Sequence, residues 1–285
     1  MARIEARPVP GSGPLRVAAV QMTSGVRIED NLASAHHLIA EAARAGARLI
    51  CLPENFALMP RDEAERRAAT EPGDGGPLQA FLAQEARAHG VWLAGGTLPI
   101  QGTAERPRSA LLLLSPDGTQ VARYDKIHLF DADLRSGGYR ESDRFEPGNE
   151  VVVCAGPECT LGLAVCYDLR FPEQFRAMAA RGAGIVIVPA AFTEETGRAH
   201  WELLVRARAV DTLSFVVAPA QTGQHENGRR TWGHSLVVGP WGEILGQQPE
   251  GPGCAVVDID YGSLPAVRQR LPALNFGSPH ADSDI

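Results

Sequence analysis

The chain has 285 residues, 44% of them hydrophobic and 21% charged, with a net charge of −7. That balance supplies enough apolar mass for a sizeable core and argues against a nucleic-acid partner or an anionic membrane surface. No apolar run approaches the ~20 residues that a membrane helix needs, and the N-terminus lacks the apolar core of a signal peptide. Five cysteines are an odd and sparse set, so free thiols in a reducing cytoplasm are expected.

Residues 1–14 hold Pro and Gly clusters without periodicity and read as a loose tail. Residues 16–22 read as a short buried strand. Asp30 offers an N-cap to a helix whose apolar stripe is Leu32, Ala35, Ile39 and Ala42, and Gly46 stops it. Residues 47–52 form a second buried strand ending in Pro53-Glu54-Asn55. Pro77 opens another helix, with Leu78, Phe81, Leu82 and Ala86 on one face and Gly90 at its end. Residues 91–99 read as one strand. Residues 110–115 and 120–126 flank a Pro-Asp-Gly turn and predict a hairpin. Residues 131–149 look long and irregular, and loops of that length are often functional.

Two further strands are expected at 151–154 and 160–165, the second stopping at Cys166. Phe171, Phe175, Met178 and Ala179 then recur on one helical face, with Pro172 in the first turn, Arg181 in the last and Gly182 as the stop. Residues 184–188 form a strand ending in Pro189-Ala190. A helix at 199–212 should carry Leu203, Ala207 and Val210 on one side. Strands follow at 214–221, 233–238, 243–247 and 254–259, then a short basic helix near 262–270 and a polar tail from 273. Strands and helices alternate without a linker, which predicts a single α/β domain over 15–272, with two sheets faced by helices on their outer sides. The units 15–54 and 161–190 share the order strand, helix, strand, Pro, a loose two-fold relationship of pattern.

The sequence around Cys166 draws a strand, a sharp corner and a helix, with a thiol at the corner. Backbone N–H groups and a nearby helix N-terminus favour negative charge there, so the thiol pKa is expected to fall. The plain alternative is a small core residue. Cys51, Cys154, Cys159 and Cys254 read as structural, since zinc needs about four ligands and no second Cys or His pair lies at fitting spacing. A reactive thiol needs a base and an oxyanion holder. Glu54, Lys126 and Cys166 all end apolar strands, and Glu141 lies in the long loop. A carboxylate can replace His as base when burial and a neighbouring acid lift its pKa. Lys126 would favour a thiolate and hold an oxyanion, together with the backbone N–H of Tyr167, while Glu141 would balance and orient Lys126. Each also has a plain reading as a solvated surface charge. His128 reads as a satisfied structural group, and Asp168, Arg170 and Glu173 as helix-capping or paired residues.

At these residues the chain resembles the nitrilase (carbon–nitrogen hydrolase) superfamily. The resemblance is carried by Leu52-Pro53-Glu54, by Tyr124-Asp125-Lys126-Ile127-His128, and by Ala164-Val165-Cys166-Tyr167-Asp168 with the Leu-Arg-Phe-Pro-Glu that follows. It implies a Glu54–Lys126–Cys166 triad, a second glutamate at Glu141 and a four-layer αββα sandwich commonly paired through one helical face. Downstream, the stretches 189–193, 196–208, 220–225, 232–235 and 240–242 resemble the branch containing deaminated glutathione amidase and ω-amidase. The activity so implied is hydrolysis of a small linear primary amide, deaminated glutathione foremost, through a cysteine thioester with release of ammonia. An ω-amidase on α-ketoglutaramate-like amides, a carbamoyl-amine hydrolase and a non-enzymatic scaffold are the alternatives. No metal or organic cofactor is required, and a homodimer or larger homo-oligomer is expected. Phe192, Thr193 and His225 are candidate substrate contacts. Arg206, Arg208, Arg229 and Arg230 are candidates to meet a distant substrate carboxylate.

Overall fold

Val17 and Ala19 point to one side of the first strand and Ala18 and Val20 to the other, and all four are fully buried. A strand apolar on both faces belongs inside a layered structure. The computed structural model describes residues 14–103, 106–135 and 137–274. The expected tails at 1–14 and 273–285 lie outside these residues, apart from positions 14, 273 and 274.

Along the chain run β1 (Leu15–Gln21), α1 (Ile28–Arg44), β2 (Leu49–Cys51), α2 (Glu63–Ala68), α3 (Pro77–His89), β3 (Trp92–Ala94), β4 (Leu98–Ile100), β5 (Arg108–Leu114) and β6 (Gln120–Asp125). A small hairpin, β7 (Asp131–Leu134) and β8 (Gly137–Arg140), precedes β9 (Val152–Ala155) and β10 (Thr160–Leu163). A 3-10 turn at Cys166–Arg170 leads into α4 (Pro172–Ala180), β11 (Ile185–Ile187), α5 (Glu194–Thr212) and β12 (Phe215–Ala218). The chain closes with β13 (Thr222–Gln224), β14 (Arg230–Trp232), β15 (Ser235–Val238), β16 (Ile244–Gln248), β17 (Gly253–Ile259) and α6 (Leu264–Arg270).

One sheet has the order β17-β1-β2-β3-β5-β4, with β6 on the other edge of β5; the second has the order β16-β15-β12-β11-β10-β9. Ala18, Val20, Ile50 and Leu112 pack in a core beneath α1 and α3. Val17, Ala19, Leu49, Leu111 and Leu113 join instead a core shared with both faces of the second sheet and with Phe175, Trp201, Val205 and Ala209 of α4 and α5. The layers are therefore helix, sheet, sheet, helix. The loose two-fold pattern corresponds to two parallel units, β1-α1-β2 with Val17 opposite Leu49 and β10-α4-β11 with Leu161 opposite Ile185.

Several local expectations change. The single strand at 91–99 is two strands, both on one edge of β5 and broken at Gly95-Gly96. Gly96 has φ +59°, and a Cβ there would lie 2.1 Å from the Pro53 carbonyl oxygen. The chain must bend to let the Pro53-Glu54 corner pass. The irregular stretch 131–149 contains the β7–β8 hairpin, tied by Arg140 to Asp133 and by Ser142 to Asp131 rather than by apolar alternation. Between the strands expected at 214–221 and 233–238 the chain forms a further paired hairpin, β13–β14. Asp30 sits in the first turn of α1 and Arg27 is its N-cap; Asn31 anchors the helix start through Gly25 and the Ala57 carbonyl. Helix α5 begins at Glu194 because Thr193 caps it, its hydroxyl accepting the Thr196 N–H. Its buried stripe is Trp201, Val205 and Ala209, whereas Leu203 and Val210 are 66% and 43% exposed. A period-four stripe displaced by two residues points to the opposite face.

Gly96→Ala is expected to cost at least ~2 kcal/mol, since it adds left-handed strain to a clash with backbone. Urea titration measures this, and a loss below ~0.5 kcal/mol would show that the corner relaxes freely.

Candidate active site

Three strand ends and one loop converge. Glu54 follows β2, on a corner where Asn55 has φ +56° and donates its N–H to Thr97 Oγ1 at 2.9 Å. The buried Gln221 amide donates to the Glu54 carbonyl at 3.0 Å and to Ser24 Oγ at 2.8 Å, fixing the corner from the segment between β12 and β13. Lys126 follows β6; its N–H donates to the Ser109 carbonyl, and its own carbonyl accepts the Gly148 N–H at 2.9 Å. Cys166 follows β10, with its N–H on the Pro189 carbonyl at 2.9 Å and φ +50°. A non-glycine residue held there stores about 1–2 kcal/mol of strain.

The side chains meet closely. Lys126 Nζ donates to Glu54 Oε1 at 2.8 Å and to Glu141 Oε1 and Oε2 at 3.0 and 2.8 Å. Glu141 Oε2 also accepts the Phe130 N–H at 2.6 Å. Glu54, Lys126 and Cys166 are 4%, 2% and 8% exposed. All four groups line one cavity of about 760 Å³.

Burial opposes the Lys126 charge, but Glu141, Glu54 and the sulfur beside it outweigh that, and its pKa is raised. Cys166 behaves contrary to expectation. Burial pushes its thiol well up, the Glu54 charge pushes it further, and Lys126 and the Ala191 N–H pull only partly back. The site therefore favours the protonated thiol over the thiolate, and the Glu54 carboxyl stands within hydrogen-bond reach of it.

A second network holds the two strand ends together. Asp168 is fully buried; Oδ2 accepts the Val165 N–H at 2.8 Å and the Tyr124 hydroxyl at 2.7 Å. Its Oδ1 accepts the His128 N–H and meets His128 Nδ1 at 2.7 Å. The Tyr124 hydroxyl in turn accepts the Ile127 N–H at 3.1 Å. One carboxylate thus joins the residue before Cys166 to residues on both sides of Lys126. The N–H groups of Cys166 and Asp168 are taken by Pro189 and Val165, leaving that of Tyr167 without a backbone acceptor among the described residues.

The other candidates separate. Thr193 lines the cavity and caps α5. Phe192 packs on Trp201 at 5.0 Å and does not line the cavity. His225 uses both ring nitrogens, on the Ser24 carbonyl and Thr231 Oγ1, and faces a different, smaller cavity. Arg206 donates to the Gly242 carbonyl and Arg208 to the Leu169 carbonyl, both away from the cavity. Arg229 and Arg230 do line it. So do Arg66, Arg144 and Tyr139, which sequence reasoning did not single out; Tyr139 arrives on the β7–β8 hairpin, concealed within a stretch without apolar periodicity.

A carboxylate, an ammonium and a protonated thiol at the end of a cavity can add sulfur to a carbonyl and move its proton. The chain belongs to the carbon–nitrogen hydrolase family, matching it over residues 16–269, and is an enzyme of carbon–nitrogen bond hydrolysis. It is 42% identical over 262 residues to a deaminated glutathione amidase from Yersinia enterocolitica, covering 90% of this chain and 91% of that one. The NitFhit protein of C. elegans superposes with a TM-score of 0.84 at 33% identity over 94% of this chain; the chain spans 66% of that longer protein. The amidase of Nesterenkonia sp. AN1, solved after Michael addition of acrylamide at its active-site cysteine, gives a TM-score of 0.73 at 30% identity, over 90% of this chain and 98% of that one.

Because the Glu54 charge raises the thiol pKa, Glu54→Gln should bring Cys166 ionisation to lower pH even as amide hydrolysis falls. The pH profile of alkylation at Cys166 checks this, and a midpoint moved upward would overturn the charge assignment. Asp168→Asn should lower turnover at least about tenfold with an intact fold, because an amide in place of one carboxylate oxygen disrupts the joint hold on Val165 and on Tyr124 and His128; steady-state kinetics with circular dichroism checks it.

Proposed function

We propose that the chain is an amidase that cleaves anionic linear amides, deaminated glutathione first among them, through a thioester on Cys166. The observation that carries this reading is the Lys126 ammonium bridging Glu54 and Glu141 beside the thiol in one cavity. The curated relatives named as deaminated glutathione amidases support the substrate choice.

In the proposed reaction the amide carbonyl oxygen points at Lys126 and the Tyr167 N–H. Glu54 takes the Cys166 proton as sulfur attacks, and the oxyanion forms against the ammonium. The intermediate collapses as Glu54 passes the proton to the departing nitrogen. With deaminated glutathione the scissile bond is a secondary amide, so the leaving group is the amine of cysteinylglycine, where a primary amide would release ammonia. Glu54 then deprotonates a water that attacks the thioester, and the acid departs as Cys166 regains its proton. Glu141 holds the ammonium in place throughout.

The substrate's carboxylate is assigned to Arg229. Arg198 and Arg230 both pair with Glu194, and Arg135 pairs with Glu195. Arg229 and Arg144 line the cavity without a carboxylate partner among the described residues, and of the two only Arg229 has a buried Nε left without a hydrogen bond. Its Nη2 donates to the Ala191 carbonyl at 3.2 Å, one peptide from the N–H that faces the Cys166 sulfur.

A homodimer fits the exposed apolar set Leu203, Val210, Trp241, Ile244 and Leu245, of which Trp241 is 57% exposed. Five unpaired thiols suit a cytoplasmic site. Among the described residues no helix is long and apolar enough to cross a membrane.

Cys166→Ala is expected to abolish release of α-ketoglutarate and cysteinylglycine from deaminated glutathione while the thermal transition stays in place; residual turnover within about tenfold of the natural protein would exclude the nucleophile. Arg229→Gln should raise KM for that substrate about tenfold or more, and leave an uncharged amide unaffected. Faster hydrolysis of α-ketoglutaramate than of deaminated glutathione would move the assignment to ω-amidase.

A further inference from the structure

We propose that His36, Glu85 and His89 form a binding site for one divalent transition-metal ion of the zinc type, clipping α1 to α3 on the outer helical layer. Glu85 and His89 stand four residues apart on α3 and so share a helix face, and His36 reaches them from α1. One ligand atom from each side chain lies within 4.8 Å of the others.

The spacing is that of ligands around a shared cation. Bonds of ~2.1 Å in a tetrahedron place donor atoms about 3.4 Å apart. His36 Nδ1 is 3.0 Å from both Glu85 oxygens, and His89 Nε2 is 3.5 Å from Glu85 Oε2. The His89 nitrogen is buried and has no hydrogen-bond partner, so it faces the carboxylate at that distance without the alignment of a donor. Leaving such an atom unmatched is costly, and a metal ion satisfies it.

Charge points the same way. The Glu85 side chain is 6% exposed, and among the described residues the two imidazoles are its only ion-pair partners. A buried carboxylate requires a compensating cation. His89 lies in the last turn of α3 and Glu85 one turn before it, near the helix end where the dipole also favours positive charge. The His36 side chain is 60% exposed, which leaves an entry path and a fourth position for water. Two imidazole nitrogens and one carboxylate oxygen suit Zn²⁺, Co²⁺ or Ni²⁺ over Mg²⁺ or Ca²⁺. None of the three residues lines the catalytic cavity, so the ion would bind and brace the helices apart from the chemistry.

Calorimetric titration of the metal-free full chain with ZnCl2 tests the site, alongside His36→Gln, His89→Gln and the double variant. One saturable equivalent is expected in the natural protein, weakened at least about tenfold by either single change and lost in the double. The thermal midpoint should rise with Zn²⁺ in the natural protein and not in the double variant. CoCl2 should give tetrahedral d–d absorption without a thiolate charge-transfer band, which separates this site from Cys154 and Cys159. Retained amide hydrolysis in the variants shows that they fold. Absence of saturable binding, equal binding by the double variant, or a thiolate band would each overturn the proposal.

Discussion

An ammonium removed from water must be matched by anions at hydrogen-bond distance, and Lys126 places that demand at the centre of this molecule. Its nitrogen is held between Glu54 and Glu141. Removing one partner of a buried pair costs about 3–5 kcal/mol, since the other charge is left stranded. Position and charge therefore specify each other here: the cation sits where three chain segments end, and each acid must reach it. The thiol shares this environment. It feels burial and the Glu54 charge more than the ammonium, which favours its protonated form. Under the proposed mechanism that is the useful state, because the proton Glu54 accepts is the one the leaving amine needs.

The fold holds these ends together by backbone features that are costly in isolation. Asn55 and Cys166 both take left-handed φ, at the acid corner and at the thiol itself. Gly96 and Gly148 pass so close to the Pro53 and Asp125 carbonyls that a Cβ would sit 2.1 Å from either oxygen. Gln221 and Asp168 then cross-link the corners, one from the segment after β12 and one from the 3-10 turn. The two parallel units supply rigid strand ends, and the polar cross-links set where the ends point.

What could be read from sequence follows from which interactions are local. Buried strands, the helix stops at Gly46 and Gly90 and the thiol at a strand end are governed by neighbours in the chain, and they were legible. The resemblance at Glu54, Lys126 and Cys166 named the groups that meet. Features decided by distant partners were not legible. The break at Gly95-Gly96 depends on Pro53, and the rise in the Cys166 pKa depends first on burial and then on a carboxylate from a distant segment. The β7–β8 hairpin is closed by ion pairs and hydrogen bonds and carries no apolar alternation. Periodicity groups Leu203, Ala207 and Val210 on one side of the helix, yet a stripe two residues away is the one that packs. The approach of His36 to Glu85 and His89 was not legible either: two members stand one turn apart on a helix, and the third is on another helix 49 residues away from Glu85.

The central claim is that Glu54, Lys126 and Cys166 act as one unit whose product is a bond to sulfur. The most direct measurement mixes the protein with deaminated glutathione, quenches it in acid within a turnover and maps the added mass by peptide. The acyl group is expected on the peptide carrying Cys166 and on none of the peptides carrying Cys51, Cys154, Cys159 or Cys254. Continued amide cleavage with no acyl mass on Cys166, or with that mass on another residue, would contradict it.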